Sequence, residues 1–324
     1  MKRSAAALVA TLALTLSACG LGTAGGLVPS ATLAGPLADV PSLDGAEVSV
    51  GSKNFTENIL LGKIALIVLQ AAGAQVNDLT NIPGSSAARE AHTSGDIDAM
   101  WEYTGTGWLV YLLHEKPVKG MEEQYAAVRD EDLETNNLSW LPPAPMNNTY
   151  AFAITKESAQ QYGITKLSEI KKVPVAERTF CVESEFANRA DGLEGMLKAY
   201  DIPLDGADGV PAGNLQTYAT GAIYDATAKG ECTFGEVFTT DGRILALDLQ
   251  VLEDDRAYFP NYNVSLVVRN EVMQKYPEIE DVMAPVTEKM TDEVLKELNA
   301  HVDVDGREPE DVAIEWLRSE GFVS

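Results

Sequence analysis

The sequence predicts an α/β protein of two lobes with a ligand cleft between them, and three observations carry that prediction. At 324 residues the chain is long enough to bury two separate cores. Strand-like and helix-like stretches follow one another in the order strand, helix, strand, which is how a parallel sheet is built. Two extended connections, Leu141-Pro142-Pro143-Ala144-Pro145 and Phe259–Tyr262, read as a crossing into a second lobe and a return. Lobe 1 is then residues 46–149 plus 262–324, and lobe 2 is residues 150–261.

The chain begins outside both lobes. Lys2 and Arg3 precede an apolar run from Ala5 to Leu16 that is too short to span a bilayer, and residues 1–18 read as a secretory signal. Leu16-Ser17-Ala18-Cys19-Gly20 resembles a bacterial lipobox, which implies cleavage before Cys19, lipid on that residue and anchorage at the outer face of the cytoplasmic membrane. The other reading is an ordinary signal peptide with a coincidental cysteine. Residues 19–45 are rich in Gly, Ala, Pro and Leu without a period, the composition of a flexible tether spanning about 28 Å r.m.s.. With 24 basic and 49 acidic residues the formal charge is −25. Such a surface lacks the basic face that phosphate binding needs, which argues against a nucleic-acid partner. It also repels anionic headgroups, so lipid alone would hold the protein at a membrane.

Within lobe 1, Glu47 to Gly51 alternates as a strand that runs into Ser52-Lys53-Asn54-Phe55-Thr56-Glu57. Asn54 with Glu57 three residues later has the form of a capping box, opening an apolar helix from Asn58 to about Gln70. Lys53 stands at this junction, where a helix N-terminus can meet an anion, although the local sequence alone favours a solvated surface lysine. Ala87 to Ser94 is a second helix, stopped by Gly95, and Ile97 to Trp101 is a short strand. Ligands of such sheets collect beyond the strands' carboxyl ends, which places Tyr103 and Thr106 at a candidate site. Met121 to Asn136 is a charged, solvent-facing helix.

Lobe 2 opens on the strand Tyr150–Ile154. It continues through Ile164–Ile170, a strand Thr179–Val182, a helix Leu193–Tyr200 and a Gly/Asp/Pro-rich loop from Ile202 to Gly213. Helical spacing from Leu215 to Lys229, a strand Thr233–Phe238 and the segment Leu247–Leu252 complete it. Val264–Val268 returns as a strand, and the helical remainder should be divided by Pro277, Pro285 and Pro309.

Cys181 and Cys232 remain once Cys19 is set aside. In an oxidising exterior two thiols in one domain can pair, and the rival is two buried thiols on neighbouring strands. The histidines are scattered, so no metal site is expected. Pairs such as Glu183 and Glu185, or Asp254 and Asp255, come without a Ser/His/Asp set or a phosphate loop, and no catalysis or cofactor is expected. What recurs instead is one aromatic beside small polar groups: Trp101 to Thr106, Asn147 to Tyr150, Phe238 to Arg243, and Phe259 to Tyr262. Several ring faces converging on a point make a cage for a quaternary ammonium, a cation that can donate no hydrogen bond.

Taken together, Ser52-Lys53-Asn54-Phe55-Thr56-Glu57, Glu102-Tyr103-Thr104-Gly105-Thr106, Asn148-Thr149-Tyr150, Glu185-Phe186, Arg189-Ala190-Asp191-Gly192-Leu193, Thr239-Thr240-Asp241-Gly242-Arg243 and Leu252-Glu253-Asp254-Asp255 resemble the substrate-binding proteins of osmoprotectant ABC importers. The resemblance runs from about residue 46 to the end and implies a periplasmic-binding-protein fold of the two-crossing type II, its lobes hinged about the ligand. It implies a cage of Tyr103, Tyr150, Phe238 and Tyr262, with Phe238 standing where a Tyr is expected. For a carboxylate it implies Lys53, Thr106 and Arg189. Asn148 sits beside the ammonium where some relatives carry Asp. The implied ligand is glycine betaine or a related betaine, with choline, carnitine or ergothioneine as the alternative, and the implied partners are a permease and an ATPase.

Overall fold

A computed structural model describes residues 28–189 and 191–324 of the chain; the signal segment and Cys19 lie outside the described residues. Two five-stranded sheets form the lobes. The first contains β1 (Glu47–Lys53), β2 (Gln75–Ile82), β3 (Ala99–Tyr103), β4 (Leu138–Trp140) and β10 (Val264–Arg269), in the order β2-β1-β3-β10-β4. The second contains β5 (Tyr150–Thr155), β6 (Phe180–Val182), β7 (Leu215–Thr217), β8 (Phe234–Phe238) and β9 (Leu249–Val251), in the order β7-β6-β8-β5-β9. In each sheet one antiparallel strand joins a parallel set. β10 lies antiparallel to β3 and β4, and β5 lies antiparallel to β8 and β9.

The helix Thr56–Ala71 is the centre of lobe 1 because it is apolar on every side, so no face of it can be left to water. Leu60, Leu61, Ile64, Leu66 and Val68 are fully buried, packed against the sheet and the C-terminal helices Glu278–Thr287, Asp292–Asp303 and Pro309–Ser319. Lobe 2 has its own core of Phe152, Phe180, Phe186, Phe234 and Leu197. Cys181 and Cys232 are joined in a disulfide with Cα atoms 5.8 Å apart.

The two crossings meet. Asn147 and Asn263 form an isolated antiparallel bridge, and the Tyr262 backbone N–H donates to Asn147 Oδ1 at 2.7 Å. The proline-rich stretch read as the first crossing runs along β10 in lobe 1, with Leu141 and Ala144 donating to Leu266 and Val264, and the chain passes over only near Asn147.

Four expectations are corrected. Residues 28–45 are not a loose tether: Leu37 and Leu43 are fully buried, and Ala34 N–H bonds to the Phe322 carbonyl, because this stretch has apolar side chains that fit against the C-terminus. Asn54 and Glu57 form no capping box. The helix N-cap is Phe55 without a side-chain cap, while Asn54 accepts from Gly84 N–H and Glu57 turns into the core. Leu215–Thr217 is a strand and only Thr220–Ala228 is helix, since Leu215 pairs in register with Phe180. Pro285 breaks nothing; it lies inside the helix Glu278–Thr287, within two turns of its start.

Candidate functional site

Between the lobes lies a cavity of about 370 Å³, and its walls come from separated chain pieces. The strand ends deliver the rings. Tyr103 closes β3, Tyr150 opens β5, Phe238 closes β8, and Tyr262 follows the return crossing two residues before β10. All four line the cavity, as do Lys53, Thr106, Asn148 and Arg189.

The rings form an unbroken series. Tyr150 and Tyr262 meet edge to face at 5.4 Å between centroids, and Tyr150 and Phe238 are 5.3 Å apart. Phe238 stacks on Phe55 at 5.6 Å, and Phe55 lies 5.9 Å from Tyr103. Phe55 is thus a fifth ring, supplied by the stretch read as a helix start and overlooked as an aromatic. Spacings of this size are those of favourable aromatic pairs, and all five rings share the lining of one cavity. Gly105 makes the corner possible: a Cβ there would stand 2.7 Å from two Tyr262 ring atoms and 2.8 Å from the Asn261 carbonyl.

Both cations of the site already have carboxylate partners. Lys53 Nζ donates to Glu102 Oε1 at 2.5 Å and stands 5.2 Å from the Tyr103 centroid. Arg189 grips Asp191 with two bonds, Nε to Oδ1 at 2.8 Å and Nη2 to Oδ2 at 2.7 Å, and lies 5.4 Å from the Tyr150 centroid. Asp191 also accepts from the Tyr262 hydroxyl. The resemblance set these two cations against a ligand carboxylate, and the structure adds a protein carboxylate beside each. Each is half of a buried pair, because an unpaired charge at this depth would be costly. Burial works against the charge of Asp191, yet Arg189 beside it holds the carboxyl below the usual range. Glu185 is likewise depressed, burial being outweighed by Ser85, Lys53 and Arg189 around it.

Behind Tyr103 lies a second overlooked residue. Glu57 is almost wholly buried and accepts from the Tyr103 hydroxyl at 2.7 Å and from Asn148 Nδ2 at 2.7 Å. Burial raises the Glu57 carboxyl while its hydrogen-bond donors pull the other way, and burial with the adjacent carboxylate pushes the Tyr103 phenol well above normal. Its spacing from Asn54 hid it in the guise of a capping residue.

A pair of α/β lobes enclosing an aromatic cavity defines the class as substrate-binding proteins of the type II periplasmic fold. Residues 46–319 match the model of the family described as the substrate binding domain of ABC-type glycine betaine transport system, and the chain belongs to that family. The chain is 37% identical over 277 residues to a glycine-betaine-binding protein of Pseudomonas aeruginosa, covering 83% of this chain and 86% of the relative. It is 32% identical over 311 residues to the glycine betaine-binding protein YehZ of Escherichia coli, covering 93% and 97% of the two chains. The crystal structure of a glycine betaine/carnitine/choline ABC transporter protein is similar with a TM-score of 0.68 at 26% identity, over 84% of this chain and 98% of that one.

Proposed function

We propose that this protein captures a trimethylammonium osmoprotectant, glycine betaine foremost, outside the cytoplasm and delivers it to the permease and ATPase of an ABC importer without chemical change. The observation that carries the reading is the continuous series Tyr103, Phe55, Phe238, Tyr150 and Tyr262 lining one interlobe cavity. A desolvated ring contributes about 0.5–2 kcal/mol to holding a cation, so several rings supply much of the roughly 8 kcal/mol of a micromolar complex.

The ligand's carboxylate is met by the Thr106 hydroxyl and by Lys53 and Arg189, the two cations being shared with Glu102 and Asp191 rather than free. Asn148 offers a polar group beside the ammonium. Membrane attachment is through lipid on Cys19; among the described residues no helix is long and apolar enough to cross a membrane.

Calorimetry with glycine betaine, proline betaine, choline, carnitine and ergothioneine tests the reading. Tight binding of glycine betaine with no turnover is expected. Failure of every quaternary ammonium to bind, or preference for a ligand without one, removes it.

A further inference from the structure

Unlike Glu102, Glu185 and Asp191, Glu57 makes no ion pair among the described residues; four neutral donors surround it instead. Oε1 accepts from the Tyr103 hydroxyl at 2.7 Å and Asn148 Nδ2 at 2.7 Å, and Oε2 accepts from Thr240 Oγ1 at 2.5 Å and Asn299 Nδ2 at 3.0 Å. That fills the four acceptor positions of an ionised carboxylate. The two amides keep a buried Oδ1 with no partner, so both turn their donors to Glu57 at the expense of their own carbonyls. The cluster is organised about a negative charge.

Its four donors also come from four places in the fold. Tyr103 ends β3 and carries a cage ring, and Asn148 lies on the crossing. Asn299 belongs to the lobe 1 helix Asp292–Asp303, whereas Thr240 belongs to lobe 2, two residues beyond β8. The lobes touch closely beside this point: a Cβ on Gly242 would stand 2.5 Å from Ala300 Cβ and 2.8 Å from its backbone nitrogen. The Thr240–Glu57 bond thus runs from lobe 2 to lobe 1 at a point of close approach.

We propose that Glu57 is the positioning residue of the cleft: a buried carboxylate that fixes the Tyr103 ring and Asn148 from behind and, through Thr240, ties that arrangement to closure of lobe 2. The proposal rests on the cleft being a quaternary-ammonium site. Glu57→Gln keeps the size but turns an N–H toward at least one donor and removes the charge.

The test is calorimetry of the intact protein with glycine betaine and choline, together with small-angle scattering with and without ligand. Glu57→Gln should weaken both ligands tenfold or more and reduce ligand-induced compaction. Tyr103→Phe and Thr240→Val should each cost a few-fold, and neither should weaken Glu57→Gln much further, because both act through the same group. A merely structural role predicts losses that multiply. Wild-type affinity and compaction in Glu57→Gln, or multiplying losses, overturn the proposal. If the wild-type protein binds no quaternary ammonium, the functional reading falls, and the ligand-free scattering of Glu57→Gln and Thr240→Val still decides the lobe tie: expansion in both supports it, and wild-type dimensions overturn it. Should Glu57→Gln fail to fold, the Tyr103→Phe/Thr240→Val pair keeps the carboxylate and decides by the same rule, coupled losses for the proposal and independent losses against it.

Discussion

Glu185 in lobe 2 accepts a hydrogen bond from the backbone N–H of Ser85 in lobe 1, with 3.1 Å between Oε2 and nitrogen. The contact spans the cleft mouth, and the carboxylate faces the positive end of the helix Ser85–Ser94, where a negative charge is favoured. Glu185→Ala should therefore release the closed form: scattering of the ligand-free variant should show a larger radius of gyration, and affinity should fall a few-fold. Unchanged dimensions would mean the contact follows closure without favouring it.

Gly105→Ala tests the cage corner. The added Cβ would meet the Tyr262 ring at 2.7 Å, and overpacking of this kind costs about 1–3 kcal/mol. Displacing Tyr262 should weaken glycine betaine by an order of magnitude or more, whereas Tyr103→Ala should abolish binding with the fold retained. Normal calorimetric affinity in Tyr103→Ala would sink the cage.

Arg189→Ala removes a hydrogen-bonded charge and leaves Asp191 buried beside the rings. Charged hydrogen bonds are worth about 1.5–3 kcal/mol, so glycine betaine should lose roughly tenfold to a hundredfold. Choline should lose far less, because it has no carboxylate to be met and the freed Asp191 charge attracts it. Lys53→Ala, which frees Glu102, should shift preference the same way. Equal losses for the two ligands would show that the carboxylate is held elsewhere.

His92 predicts a pH dependence of stability. Burial, with Arg89 next in weight, lowers its pKa from 6.5 to about 4, although the Asp98 carbonyl and Asp132 pull the other way and Arg269 adds to the lowering. Between those values the unfolded chain binds a proton that the folded one refuses, so stability falls as pH drops from about 6.5 to 4, by about 3 kcal/mol in all. Denaturant melts at pH 7 and pH 4.5 check this. His92→Gln should flatten the profile, and an equally steep profile in that variant would assign the effect to other groups.

The Cys181–Cys232 bridge closes a loop of 51 residues within lobe 2. Replacing both by Ala should cost on the order of 4 kcal/mol by the loop-entropy relation, with ligand affinity unchanged because neither residue lines the cavity. A melt insensitive to the replacement would show that the lobe's core holds without the bridge.

That Tyr103, Tyr150, Phe238 and Tyr262 would line one cavity was legible from the family resemblance, and for Tyr103 also from its place at a strand end, where an α/β sheet presents a ligand. Phe55 escaped since the same six residues also carry the pattern of a helix start, which explains an aromatic as a packing residue. Glu57 escaped for a related reason: its spacing from Asn54 satisfied a local rule, while its true partners lie at Tyr103, Asn148, Thr240 and Asn299. The pairing of Lys53 with Glu102 joins residues 49 apart, and nothing local marks it. Local pattern found the elements, with errors at Pro285 and Leu215 where tertiary packing outweighed propensity. Partners of buried charges are fixed by three-dimensional proximity, which one sequence does not display.

The bridge between Asn147 and Asn263 acts as the spine of a book, and Tyr150 and Tyr262 are printed in the gutter. A rotation of the lobes about this bridge would move these two rings least, and would part Phe55 and Tyr103 on one page from Phe238 on the other. An arriving solute would then meet two standing walls first, and the remaining three rings would come to it as the pages meet.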